Sequence, residues 1–199
     1  MPTPLILASR SIARAELLAR ARVPFEVAAA AVDEAAIKQG MAAEGASARD
    51  VADALAEVKA RRVASRHPDR LVLGADQVLV ADGRIHDKPA DRAEARAQLL
   101  ALGGRSHQLL SAAVVFEDGR PVWRHVGRAD LVMRPLGDAF IEHYLDTEGD
   151  VVLDSVGAYR IEDGGAALFS QVRGDIFTIM GLPLLELLAF LRTRGVVPE

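Results

Sequence analysis

The residues able to do chemistry stand where apolar runs of the chain end. Ser9-Arg10-Ser11, with Arg14 one turn further on, closes the run Leu5-Ile6-Leu7-Ala8. Hydroxyls and backbone N–H groups at a helix start, joined by an Arg, make a pocket for an anion. The same residues would serve equally as a helix cap and a solvated Arg. Gly74-Ala75-Asp76-Gln77 stands at the end of a second apolar strand. An Asp there is costly to bury unless something cationic meets it, and a metal ion or a Lys would serve. The competing reading is a turn-forming Asp, but Asp82-Gly83 already supplies the hairpin turn. In Asp87-Lys88-Pro89, Pro89 restricts Lys88 to an extended backbone and would aim its side chain reproducibly, although loop lysines are commonly solvated. Gly174-Asp175, followed by Gly181-Leu182-Pro183, is a weaker cluster. His86 adjoins the Asp87-Lys88 turn and could meet a substrate; His67, His107, His125 and His143 read as structural or solvated. No Gly-x-x-x-x-Gly-Lys-Ser/Thr loop, no His-Glu-x-x-His and no Gly-x-Ser-x-Gly occurs, so those chemistries lack their signatures.

Strands and helices must hold these residues. Leu5–Ala8 suits a buried strand, and the turn at Ser9 to Ser11 opens a helix with Ala15, Leu18 and Ala19 on one face, ended by Pro24. Phe25-Glu26-Val27 alternates like a strand, and Val32 to Gly45 reads as either a short helix or an irregular excursion. From Ser47, with Asp50 as its capping-box partner, Val51, Leu55, Val58 and Arg62 recur at helical spacing. Leu71 to Asp76 is a buried strand continued by Val78 to Val80. Asp91 with Glu94 caps a helix to Leu102, ended by Gly103-Gly104. His107 to Phe116, Asp118-Gly119 and Val122 to Met133 form a long hairpin, followed by a helix around Asp138 to Leu145. A strand at Ala167 to Val172 precedes a last helix from Pro183 to Arg194, with Pro183 in its first turn and Gly195 just past its end. Interleaved strands and helices predict an α/β domain with a mixed sheet.

Composition excludes several functions. The 199 residues are 50% apolar and 26% charged, an ordinary globular balance. Lys and Arg number 24 against 28 for Asp and Glu, a net charge of −4, which argues against a surface that coats nucleic acid. No cysteine occurs, so disulfides, thiolate catalysis and Cys-ligated metals are excluded. Charges interrupt every apolar stretch before the roughly 18 residues that a membrane-spanning helix needs. Met1-Pro2-Thr3-Pro4 lacks a basic leader region, so a cytoplasmic location is expected.

The order of the motifs is more specific than any one of them. It resembles the Maf (septum-formation-inhibitor-like) family of nucleoside triphosphate pyrophosphatases. That family opens with Leu-Ala-Ser-x-Ser-Pro-Arg-Arg-x-Glu-Leu-Leu, and here Leu7 to Leu18 reads Leu-Ala-Ser-Arg-Ser-Ile-Ala-Arg-Ala-Glu-Leu-Leu. Val32-Asp33-Glu34 supplies the family's Glu, Leu55-Ala56-Glu57-Val58-Lys59-Ala60 its Leu-Ala-x-x-Lys-Ala, and Gly74-Ala75-Asp76-Gln77 its Gly-Ala/Ser-Asp-Thr/Gln. Lys88-Pro89, Val156-Gly157-Ala158-Tyr159, Gly174-Asp175 and Gly181-Leu182-Pro183 complete the pattern, which spans residues 5 to about 194.

The resemblance implies a single domain over residues 1–199, an α/β fold whose long mixed sheet bends around a cleft between two lobes flanked by helices. It also implies a homodimer as one form of assembly. The implied reaction is hydrolysis of a nucleoside triphosphate to monophosphate and pyrophosphate with Mg²⁺ or Mn²⁺. Glu34 and Asp76 are then the oxygen ligands for the metal, and Asp76, which matches the residue assigned as proton acceptor, is either the base or a metal ligand that lowers the pKa of the water. Arg14, Lys59 and Lys88 are the cations for the phosphates, with Ser9 and Ser11 at the anion turn. Ala13, Gln77 and Glu162 fall at positions that differ between substrate branches. The branch acting on dTTP and UTP carries Arg, Thr and Gln there, and a 7-methyl-GTP branch tends to carry Trp at the first; Ala13 fits neither. A carboxylate such as Glu162 can accept from both the ring N–H and the amine of a guanine edge, so the expectation leans to modified or non-canonical triphosphates with a guanine-like base, 7-methyl-GTP among them. The alternatives are a dTTP/UTP pyrophosphatase and a non-catalytic nucleotide-binding regulator of cell division.

Overall fold

A computed structural model of the chain describes residues 4–198, so Met1 to Thr3, part of the stretch read above for a leader, lie outside the described residues, as does Glu199. The elements in chain order are β1 (Leu5–Leu7), α1 (Ile12–Arg20), β2 (Phe25–Val27), α2 (Glu34–Ala43), α3 (Ala48–Ala64), β3 (Val72–Ala81) and β4 (Arg84–His86). They continue with α4 (Arg92–Leu102), β5 (Ser106–Glu117), β6 (Arg120–Met133), α5 (Asp138–Glu148), β7 (Phe169–Arg173), α6 (Ile176–Ile179) and α7 (Leu184–Thr193). The strands form a seven-stranded mixed sheet in the order β2-β1-β3-β5-β6-β7, with β4 paired to β3. Strands β2 and β3 run parallel to β1, whereas β4 is antiparallel to β3 and β7 to β6. The α/β class with a mixed sheet and flanking helices is the one expected. Among the described residues no helix is long and apolar enough to cross a membrane.

Local chemistry explains where the elements begin and end. Ser47 and Asp50 form the expected capping box, each side chain accepting from the other residue's backbone N–H. The ambiguous stretch after Val32 is helix α2, because Asp33 caps it through a hydrogen bond from Ala36 N (3.0 Å) and its alanines favour helix. Helix α1 stops at Arg20, short of Pro24; Arg22 turns at φ 55° and Val23 N–H returns to Leu18 O. Its buried face is Arg14, Leu17 and Leu18, with Ala19 exposed, so a charged residue holds part of the face that the apolar pattern assigned to alanines. Pro183 is the cap of α7 and not its first residue. The strand expected from Ala167 starts at Phe169, since Gly164–Leu168 winds as a 3₁₀ turn. Helix α6, too short for a periodic signature, is capped by Asp175 through Thr178 N (2.8 Å), which gives the Gly174-Asp175 motif a structural use.

The chain divides into two compact units. The first comprises the chain up to Gln77, Leu110–Gly127 and Gly181 onward. Its core includes Leu5, Ile6 and Leu7 of β1, Leu18 of α1, Leu55 of α3 and Leu73 of β3, all fully buried. The second comprises Val78–Leu109 and Arg128–Met180. Leu79, Leu99, Leu102, Leu131, Ile141 and Leu168 anchor its core. Exposed ion pairs of Arg92 and Arg96 with Glu142 tie α4 to α5, contacts that contribute little at physiological ionic strength.

His107 lies inside that second core, 2% exposed, with its Nε2 2.8 Å from the Tyr159 hydroxyl and no partner for Nδ1 among the described residues. Burial, assisted by the nearby His86, pushes its pKa down to about 4. Between pH 6.5 and 4 the unfolded chain takes up a proton there that the folded chain refuses. Stability is therefore complete above about pH 6.5 and falls as pH drops toward 4, by about 3 kcal/mol for this site. Urea unfolding measured from pH 7.5 to 4.5 shows that loss, and His107→Gln flattens the slope.

Candidate active site

The site is built from residues of the first unit. Strand β1 delivers Ser9 to the turn before α1, and Ser11 caps the helix by accepting from Arg14 N. The Ser9 hydroxyl accepts from Ser11 N (3.2 Å) and from Arg14 Nη1 (3.1 Å). Arg14 is buried; Nη1 also donates to Ala75 O (3.0 Å) and Nε to Gly181 O (2.8 Å). One planar guanidinium thus ties the Ser9 turn, strand β3 and the segment before α7 together. Nη2 makes no further hydrogen bond among the described residues. Burial lowers the Arg14 pKa, while the charges of Asp76 and Glu34 pull it back up.

Asp76 lies within β3, not in a turn, and is 5% exposed. Successive side chains of a strand point to opposite faces, so Gly74 and Asp76 share one. A Cβ on Gly74 would stand 2.1 Å from Ala56 O and 2.6 Å from Ala60 N, so the bare glycine is what lets α3 lie against this face of the strand. Lys59, between those two alanines on α3, then reaches Asp76 Oδ1 at 2.5 Å and Glu34 Oε1, at the start of α2, at 2.7 Å. The cation that a buried Asp76 requires is therefore a Lys of this chain. Asp76 and Lys59 are nearly covered, and Glu34 is the more exposed partner at 43%.

Two carboxylates alone are a sparse donor set: among the described residues no group of three or more Asp, Glu or His converges on a point. They fit a Mg²⁺ or Mn²⁺ that keeps waters and takes phosphate oxygens for the rest of its shell. They would not make a closed structural metal cage.

The remaining expected residues fall as follows. Ser11 caps, and Ala13 sits half-buried in the first turn of α1. Gln77 is half-buried at the end of the first unit's part of β3, its amide donating to Ser111 Oγ (2.9 Å). Lys88 and Glu162 belong to the second unit. Lys88 is exposed after β4, and Glu162 is paired with Arg160 Nε (3.3 Å), which also meets Asp163 (3.0 Å). Three partners of these side chains were not anticipated: Ser111 for Gln77, Arg160 for Glu162, and the Gly181 carbonyl as the acceptor for Arg14. An Arg two residues from Glu162 was a visible clue to the second. The other two act through pairings that no local pattern reveals.

The chain is 54% identical over 190 residues to a nucleoside triphosphate pyrophosphatase of Paramagnetospirillum magneticum, with 96% of this chain and 98% of that one covered. A protein of the same name from Roseobacter denitrificans is 50% identical over 199 residues, the full length of both. A third, from Rhizobium meliloti, is 48% identical over 193 residues, with 97% of each chain covered, and is named 7-methyl-GTP pyrophosphatase. With such relatives along its whole length, the chain is an enzyme of the hydrolase class. It belongs to the Maf-like protein family, whose model matches residues 4–194.

Because backbone atoms crowd Gly74, even a methyl group must push α3 from β3. Gly74→Ala is expected to cost at least about 1–3 kcal/mol, the range for overpacking, seen as a lowered urea midpoint. It should also lower activity in the fraction that stays folded, because Lys59 moves with the helix.

Proposed function

We propose that the chain hydrolyses a nucleoside triphosphate to the monophosphate and pyrophosphate, favouring a guanine-like base, either plain or modified as in 7-methyl-GTP. The observation that carries this reading is the Lys59 ammonium shared by Asp76 and Glu34, with Asp76 on the same strand as the Ala75 carbonyl that Arg14 grips. The names of the relatives support it.

A triphosphate is strongly anionic, and attack at its α-phosphorus requires that charge to be neutralised. Arg14, through Nη2, and Lys59 supply positive charge, and the backbone N–H groups after Ser9 supply dipoles. The family resemblance adds Lys88 to the cations. A water oxygen bonds to the α-phosphorus while the bond from that phosphorus to the bridging oxygen breaks, and pyrophosphate leaves. Asp76 takes the proton that the water sheds. Glu34 and Asp76 would hold Mg²⁺ or Mn²⁺, which neutralises phosphate charge and acidifies bound water. The substrate is a free nucleotide and not a polymer, in keeping with a net charge of −4.

For the base, Glu162 offers a carboxylate able to accept two donors from guanine, where thymine and uracil present one. Gln77 and Ala13 stand at the other two selective positions.

Pyrophosphate release from purified protein tests both levels. With Mg²⁺ or Mn²⁺, GTP and 7-methyl-GTP are expected to turn over faster than dTTP and UTP; the reverse order overturns the base assignment. Release from none of them would leave a nucleotide-binding regulator as the better reading. Asp76→Asn should lower kcat by about 10²–10⁴-fold, the usual contribution of a positioned proton acceptor. Full activity in that variant removes Asp76 from the chemistry.

A further inference from the structure

We infer that Lys59 keeps divalent cations off the Glu34–Asp76 pair until a triphosphate draws its ammonium away, so that metal and nucleotide enter the site together. The inference rests on the proposed assignment of those carboxylates as metal donors. Its own ground is the position of Nζ, 2.7 Å from Glu34 Oε1 and 2.5 Å from Asp76 Oδ1. A divalent cation held by both carboxylates would compete with the ammonium for the oxygens that face it. Two cations drawn to the same pair of carboxylates also repel each other strongly at short range.

The charge balance points the same way. Arg14 and Lys59 stand against Asp76 and Glu34, two positive charges and two negative, so the cluster is neutral before any ligand arrives. The field of both carboxylates reaches Arg14 as well as Lys59. A divalent cation entering alone would leave the cluster with two positive charges in excess. A triphosphate supplies the missing negative charge and offers the ammonium a new set of oxygens.

The side chain can make that exchange without the helix moving. Alanines on either side of Lys59 are packed at Gly74, which holds the α3 backbone against β3. The ammonium itself sits on a four-carbon stem and carries three donors with no fixed plane, so rotation of the stem is enough to carry it from carboxylate to phosphate. An Arg in its place would bind the carboxylates through a rigid fork and release them less readily.

Mn²⁺ is the probe, measured on the full chain by electron paramagnetic resonance of the free ion. Without nucleotide, Lys59→Met is expected to bind Mn²⁺ at least roughly tenfold more tightly than the unsubstituted protein. Equal affinity overturns the inference. In the unsubstituted protein, saturating α,β-methylene GTP should raise the affinity for Mn²⁺ at least about tenfold, and by less in Lys59→Met, as reciprocal coupling requires. Water proton relaxation separates protein-bound Mn²⁺ from the Mn²⁺-nucleotide complex in solution, and equal enhancement in both proteins also overturns the inference. Should Lys59→Met be unfolded without metal, Mn²⁺ is expected to refold it, since a ligand of the folded state stabilises that state. A chain still unfolded at millimolar Mn²⁺ counts against it. Asp76→Asn and Glu34→Gln report on the underlying assignment: if neither weakens Mn²⁺ binding to the Lys59→Met protein, the carboxylates are not the metal donors and the proposed site itself fails.

Discussion

A carboxylate placed inside a sheet must be neutralised or met by a cation, because its desolvation costs more than any packing around it returns. In this chain the carboxylate is Asp76, and Lys59 meets it from the adjoining helix. The surrounding sequence follows from that demand. Helix α3 has to lie close against β3, which requires a glycine at 74, where the backbone of residues 56 and 60 and the small side chain of Ala60 approach. Once the helix is there, the same ammonium reaches Glu34 at the start of α2, and a second carboxylate is fixed without a separate scaffold.

Arg14 solves a different problem with different chemistry. Its planar fork holds a hydroxyl and two backbone carbonyls, none of them charged, and it is buried while doing so. The two cations divide the work. Arg14 braces backbone, and its rigidity is an advantage. Lys59 faces carboxylates, and its freedom to rotate is an advantage. Exchanging one residue type for the other at either position would keep the charge and lose the property that the position uses.

How much of this could be read from residues alone depended on distance along the chain. Caps and turns were legible because their partners lie within a few residues: Ser47 with Asp50, Asp91 with Glu94, Asp82-Gly83 between paired strands. The need for a cation at Asp76 was also legible, since an Asp in an apolar run is an electrostatic anomaly wherever the chain folds. Which cation answers it was open on physical grounds, and Lys59 entered through the family pattern. The choice requires the register of α3 on β3, which a helical period leaves undetermined. Burial of Arg14 could not be read either, because its acceptors at Ala75 and Gly181 are far away in sequence. His107 looked like an ordinary strand residue; the Tyr159 hydroxyl that makes it a buried polar pair lies 52 positions on. The roles of Lys88 and Glu162 rest on the resemblance, for neither shows a local pattern that marks it as functional.

The bond from Arg14 to the Gly181 carbonyl spans 167 residues. During synthesis, at about 5–20 residues per second, the guanidinium waits on the order of ten to thirty seconds for its last acceptor to emerge from the ribosome. Asp76 and Lys59 are made well before then, but the Ser9 turn and strand β3 still lack the third anchor of the Arg14 clamp. A ribosome that stalls short of residue 181 therefore holds a chain carrying the charged residues of the site without the clamp that orders them. The last of the Arg14 contacts is therefore among the latest to be made.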